Sequence, residues 1–174
     1  MKTKITLSGE VASGKSTVGK LLAEQLGYEF ISLGNSIRKR AEREGLSIVE
    51  FQRKCTKNPE LDKEIDREFS NDCNKKDNLI IDYRLGFKFI NDAFHVFLKI
   101  SEKDAIERLK KADRSNETSD TVSERNDAFK KQFENAYGID YTLDSHYDLI
   151  INIDNKMTTQ EIINIILTNL KIKK

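Results

Sequence analysis

Cysteine is scarce in this chain. Its two residues, Cys55 and Cys73, have no C-x-x-C spacing, which argues against a disulfide framework and a zinc site and suits a reducing cytoplasm. Histidine is equally sparse: His95 falls inside an apolar run and His146 just before one. Isolated in this way, both read as core or surface residues rather than metal ligands. Charge of one sign is not in excess either, with 30 Lys and Arg against 29 Asp and Glu, so no overall basic field points to nucleic acid. No apolar run approaches the ~18 residues of a membrane span, and the few apolar residues after Lys2 and Lys4 are too short for a signal peptide. A cytoplasmic protein without a membrane partner is expected. Repeats, low-complexity stretches and linkers are also missing. One main domain is therefore expected, and 174 residues suffice to bury about 70% of the unfolded chain's surface without a staple.

Against these absences stands one complete motif. Gly9-Glu10-Val11-Ala12-Ser13-Gly14-Lys15-Ser16 matches the phosphate-loop pattern G-x-x-x-x-G-K-[ST]. Before it, Lys4–Ser8 can form a short buried strand; after it, residues from Ser16 to Leu26 repeat apolar positions at helical spacing, so the motif sits between strand and helix as its chemistry requires. Gly9 and Gly14 allow a backbone that turns N–H groups inward, and the stretch from Ala12 through Ser13 to Thr17 carries those groups into the first turn of the helix, with its positive dipole end. Lys15 supplies a mobile cation for the β- and γ-phosphates, and Ser16 a hydroxyl for Mg²⁺. ATP and Mg²⁺ are the expected cofactors.

Strand-like and helix-like segments alternate along the whole chain, which implies a parallel sheet covered by helices. After the first strand, further strands are expected at Tyr28–Ser32, Asn78–Asp82, Phe94–Ile100 and Tyr147–Asn152. Two or three helices fill the stretch from Gly34 to Lys76, with Pro59 in the first turn of one of them. A helix from about Glu102, a polar stretch around Arg114–Asp120, and a long charged helix to about Tyr137 come next, and Thr158-Thr159-Gln160-Glu161 opens the last helix as a capping box.

Asp82 lies at the exit of the third strand, where a carboxylate completes a Mg²⁺ shell in phosphate-loop proteins; the alternative is an Asp capping the next helix. Phosphoryl transfer spreads charge over equatorial oxygens and calls for cations converging from several elements. Arg38, one turn into the helix after Gly34, and Arg84, two residues beyond Asp82, both emerge near the carboxyl ends of strands, where ligands of open parallel sheets bind. Arg108, Arg114 and Arg125 flank the polar stretch and are placed in a lid.

Taken with Ser32-Leu33-Gly34-Asn35 and Arg38, Leu46–Phe51, Asn58–Asp66, Tyr83-Arg84-Leu85, Tyr137–Tyr141 and Tyr147–Asn152, the phosphate loop gives a series that resembles the nucleoside-monophosphate kinases, and among them the short cytidylate kinases. The resemblance implies an α/β three-layer P-loop kinase fold with about five parallel strands. It divides the single domain into a core (1–32, 78–107, 138–174), an acceptor-binding helical insertion at about 33–77, and a lid at about 108–137. It also implies transfer of the γ-phosphoryl of ATP to CMP or dCMP, with small nucleotides as partners; a monomer is expected. Catalytic roles fall to Lys15, Arg84, Arg114 and Arg125; Ser32, Arg38 and Arg84 hold the acceptor; Arg108, Arg114 and Arg125 close the lid; Ser16 and Asp82 hold the metal. This chain departs from the pattern at Glu10, Val11 and Ala12 within the loop, at Asn35 where a carboxylate is frequent, at Tyr83 in place of Gly, and at Gln132 in place of a lid Arg. Two alternatives follow, a kinase for another small acceptor and a nucleotide-binding regulator without transfer.

Overall fold

The computed structural model describes residues 3–112 and 119–172. Five strands, β1 (Lys4–Gly9), β2 (Glu29–Ser32), β3 (Leu79–Asp82), β4 (Ala93–Ile100) and β5 (Leu149–Ile153), form one sheet in the order β2-β3-β1-β4-β5. Every pairing is parallel. Strands of such a sheet are covered on both faces and read as continuous apolar runs, and β1, wholly buried along its length, is one of these.

Successive side chains point to opposite faces, which divides the core in two. Ile5, Leu7, Ile80, Val96 and Leu98 face the helices α1 (Lys15–Leu26), α6 (Glu102–Lys111) and α8 (Thr159–Ile172). Leu79, Ile81, Ala93 and Phe97 face the other way, onto α4 (Pro59–Asn74), the short α5 (Gly86–Phe89) and α7 (Ser119–Tyr137). This is the three-layer arrangement expected from the alternation of elements.

The segment after β2 forms three helices: α2 (Leu33–Arg43), α3 (Ile48–Lys57) and α4. They share a small core of their own, built from Ala41, Phe51, Cys55, Leu61 and Ile65. Their ends are set by local chemistry. Ser47 and Glu50 form a reciprocal capping box at the start of α3, and Pro59 opens α4 at a position whose N–H would be unpaired in any case. The expected box at α8 is present too: the Thr158 N–H and hydroxyl both donate to Glu161 Oε2, and the Glu161 N–H donates back to Thr158 Oγ1.

Candidate active site

The phosphate loop begins where β1 has no room for a side chain. A Cβ on Gly9 (φ 153°) would lie 2.5 Å from the Leu98 carbonyl oxygen. Gly14 (φ 84°) occupies the left-handed region immediately before α1, and the only Cβ-bearing residue in that region within the loop is Ala12 (φ 64°). The Ser13 hydroxyl donates to the Glu10 carbonyl at 2.7 Å, which closes the turn from within. Lys15 is buried against its own loop, its Nζ donating to Gly9 O at 3.1 Å and to Glu10 O at 3.2 Å. Burial first, and the nearby Arg84 cation second, bring its pKa down to about 7.

Glu10 turns its carboxylate toward the sheet, although its charge still reaches Lys15. Its Oε2 accepts from the Ile100 backbone N–H at 2.8 Å, which ties the carboxylate to the end of β4. On the other side, the Val11 N–H donates to Asn126 Oδ1 of α7 at 2.9 Å.

Asp82 ends β3 opposite the start of α1. Its Oδ2 accepts from the Ser16 hydroxyl at 2.7 Å, and it caps no helix, since α5 starts after Leu85 without a side-chain cap. A carboxylate and a hydroxyl in contact present only hard oxygens. That donor set fits Mg²⁺, which takes few protein ligands and completes its shell with water and phosphate. Among the described residues there is no cluster of three His, Cys, Asp or Glu side chains that could hold a metal without such help.

The arginines reach this region by different routes. The Arg84 guanidinium lies 3.8 Å from the centre of the Phe129 ring on α7, and its main-chain carbonyl accepts from the Ser8 hydroxyl at 3.0 Å. Among the described residues its buried Nε has no hydrogen-bond partner, nor has the buried Tyr141 hydroxyl. Burial lowers the Arg84 pKa against the opposing pull of Tyr141 and the Asp82 carboxylate, so this cation is largely desolvated. Arg38 folds back onto its own helix, donating to Asn35 Oδ1 at 2.9 Å. Ser32 is the N-cap of α2 and accepts from the Asn35 N–H. Arg108 is held by main-chain carbonyls, Nε to Asp154 O at 3.1 Å and Nη2 to Met157 O at 2.7 Å, so it fastens α6 to the loop before α8. Arg114 lies outside the described residues.

A cavity of about 910 Å³ joins these groups. Ala12, Gly14, Lys15, Ser16 and Thr17 line one end, together with Asp82, Arg84, Arg108 and Arg125; Gly9 and Ser13 do not line it and act in shaping the loop. Ser32 and Arg38 border the same space.

The cavity also contains groups to which the sequence assigned no role in the site. Asp62 and Asp66, one turn apart on α4, line it with Gln132 of α7. Asp66 is buried, and each of its oxygens takes a tyrosine hydroxyl, Tyr83 at 2.8 Å on Oδ1 and Tyr137 at 2.7 Å on Oδ2. Gln132 Nε2 donates to Asp62 Oδ2 at 3.4 Å. Desolvation raises the pKa of both carboxyls. The i, i+4 spacing of two acids in an otherwise apolar-faced helix was the available signal, and the Gln at 132 was its complement.

Comparison with known proteins now decides the lineage, because the sequence model of the cytidylate kinase-like family matches residues 4–155. The chain belongs to that family. A cytidylate kinase from Sulfurisphaera tokodaii is 36% identical over 155 residues, covering 87% of this chain and 86% of the relative. A protein from Lacinutrix mariniflava named S-adenosylmethionine-dependent nucleotide dehydratase is 51% identical over 170 residues, but this chain spans only 36% of its length. Among solved structures, a shikimate kinase from Aquifex aeolicus superposes with a TM-score of 0.64 at 28% identity, covering 97% of this chain and 96% of its own. Family and fold are those of phosphotransferases of the P-loop kinase class.

Proposed function

We propose that this member of the cytidylate kinase-like family transfers the γ-phosphoryl group of ATP to a pyrimidine nucleoside monophosphate, CMP or dCMP. The observation that carries the reading is Arg84: a buried, partly unpaired guanidinium opening into the same cavity as the phosphate-loop lysine and the Ser16–Asp82 pair. A cation so placed calls for an anionic substrate group, and a second phosphate beside the triphosphate supplies it.

In this reading the loop amides, from Gly9 through Ala12, Ser13 and Gly14 to Thr17, hold the triphosphate. Lys15 exchanges its main-chain acceptors for phosphate oxygens. Ser16 and Asp82 hold Mg²⁺, which when bound offsets charge on the phosphates. Arg38 and Arg84, with Ser32, hold the acceptor phosphate from the helical insertion at 33–77. Arg108, Arg114 and Arg125 belong to the lid at 108–137, whose closure keeps water from accepting the phosphoryl group. No strong base is needed, because the residues work by aligning two anions and neutralising them. The protein is proposed to act as a monomer on small nucleotides; its two free, buried cysteines suit a reducing cytoplasm.

The likeness to shikimate kinase favours a second reading, transfer to a non-nucleotide acceptor. Against it, the Lacinutrix relative carries a nucleotide in its name. An ADP-release assay over CMP, dCMP, UMP, AMP, GMP and shikimate separates them. Turnover with CMP or dCMP is the expected result, turnover with shikimate alone would establish the second reading, and ATP binding without any turnover would leave a regulator.

A further inference from the structure

The described cavity is electrically lopsided. Most of its lysine and arginine side chains stand at the phosphate-loop end around Asp82, while two further carboxyls, Asp62 and Asp66, line it from α4. A phosphate-bearing ligand anchored on Arg84 leaves its uncharged end to meet those acids, so the question is what they read.

Asp66 is already committed. Both of its oxygens are taken by tyrosine hydroxyls, which fix α4 against the end of β3 and against α7. Asp62 is not. Its partners are the Cys55 thiol, a weak donor, and Gln132 Nε2 at the long distance of 3.4 Å, whereas an ionised carboxylate has room for about four donors. Half-buried with its accepting capacity largely unused, it needs a donor from the cavity. Gln132 is aligned by the same contact: one Nε2 hydrogen points to Asp62 and the second remains to be donated. The pair therefore presents an acceptor beside a donor. The same cavity holds the buried, unpartnered Arg84 Nε, an independent sign that an anionic ligand completes the site.

We infer that Asp62 and Gln132 are the specificity-determining pair for the acceptor base, selecting an amino-bearing pyrimidine over a keto one. The inference rests on the monophosphate-kinase reading and deepens it. A 4-aminopyrimidine offers its exocyclic N–H to the Asp62 carboxylate and its ring N3 to the Gln132 amide. A 4-ketopyrimidine presents the reverse order, placing a carbonyl oxygen against a carboxylate and an N–H against an amide donor. A site whose polar groups are left unpaired rejects the wrong partner far more strongly than one that merely lacks a contact.

The test uses the whole protein and compares kcat/KM for CMP, UMP and the monophosphate of pyrimidin-2-one riboside, which lacks the 4-amino group. CMP should exceed both by tenfold or more. In Asp62→Asn, whose amide can donate to a keto oxygen, the CMP to UMP preference should fall at least tenfold. Equal use of CMP and the deaminated analogue by the parent protein would overturn the assignment even if Asp62→Asn failed to fold, and so would a folded Asp62→Asn with an unchanged preference. In either case transfer to monophosphates would still stand. Absence of transfer to any monophosphate would instead remove the kinase reading and this inference with it.

Discussion

At the scale of single residues, Lys15 ties structure to the proposed transfer most directly. With a pKa lowered from 10.5 to about 7 by burial and by Arg84, it is largely neutral in the free protein above that value. This depressed pKa gives a stability contribution that is complete above 10.5 and lost as the pH falls through about 7. Phosphate oxygens bring the missing opposite charge, so ATP binding between those two pH values should be accompanied by proton uptake. Calorimetry in buffers of different ionisation enthalpy reads this directly, and Lys15→Ala should abolish the uptake and lower kcat by at least about a hundredfold. Near-normal turnover in that variant would remove Lys15 from the mechanism. Arg84 makes a different demand, because a guanidinium over a ring and against a phosphate is planar and bidentate in a way that an ammonium is not. Arg84→Lys should depress kcat/KM for the acceptor by about tenfold or more, roughly 1.4 kcal/mol, while ATP affinity measured by calorimetry stays nearly constant. Asp82→Asn keeps the shape and loses the charge beside Ser16. A weakened Mg²⁺ dependence with an unchanged melting temperature is the expected outcome; lost stability with an unchanged Mg²⁺ titration would contradict it.

Among the elements, α4, β3 and α7 are joined by one buried carboxyl. Burial raises the Asp66 pKa, so its stabilising contribution is present below 3.8 and lost as the pH rises through the raised value in the fold. At neutral pH the two tyrosine hydroxyls offset the cost of the ionised form. Tyr137→Phe removes one of them and should destabilise the protein by about 1–3 kcal/mol at neutral pH, less in mild acid, as denaturant titrations at two pH values would show. This junction was not legible in the sequence, although much else was. Continuous apolar runs marked β3 and β4, Pro59 marked the start of α4, and the Thr158–Glu161 box marked α8, because each rests on local chemistry. The phosphate loop was legible for the same reason. Asp66, by contrast, owes its role to Tyr83 and Tyr137, which lie 17 and 71 positions away, and no local pattern encodes that meeting. Tyr83 in place of a usual Gly read as a departure; in the fold it is a buried hydroxyl donor. Likewise the direction of Glu10 depends on the Ile100 amide across the sheet.

For the molecule as a whole, the proposed lid carries Arg125 and Gln132 on one element, α7. Arg84 lies on Phe129 of that helix, so filling the acceptor end and ordering α7 should be coupled. Hydrogen exchange should therefore show peptides within 119–137 gaining more protection with a non-hydrolysable ATP analogue and CMP together than the sum of the two alone. Additive protection would mean that the two ends of the cavity act independently.

The phosphate loop is moored on two sides with unequal strength. On the sheet side the Ile100 N–H donates to the charged Glu10 carboxylate and the Glu10 N–H to the Leu98 carbonyl; on the α7 side there is a single neutral bond, from the Val11 N–H to Asn126 Oδ1. A hydrogen bond to a charged group contributes about 1.5–3 kcal/mol and a neutral one about 0.5–1.5, so any opening of α7 would part the weaker line first. The loop would then keep its curvature, and a triphosphate entering the site would meet a cradle already in shape.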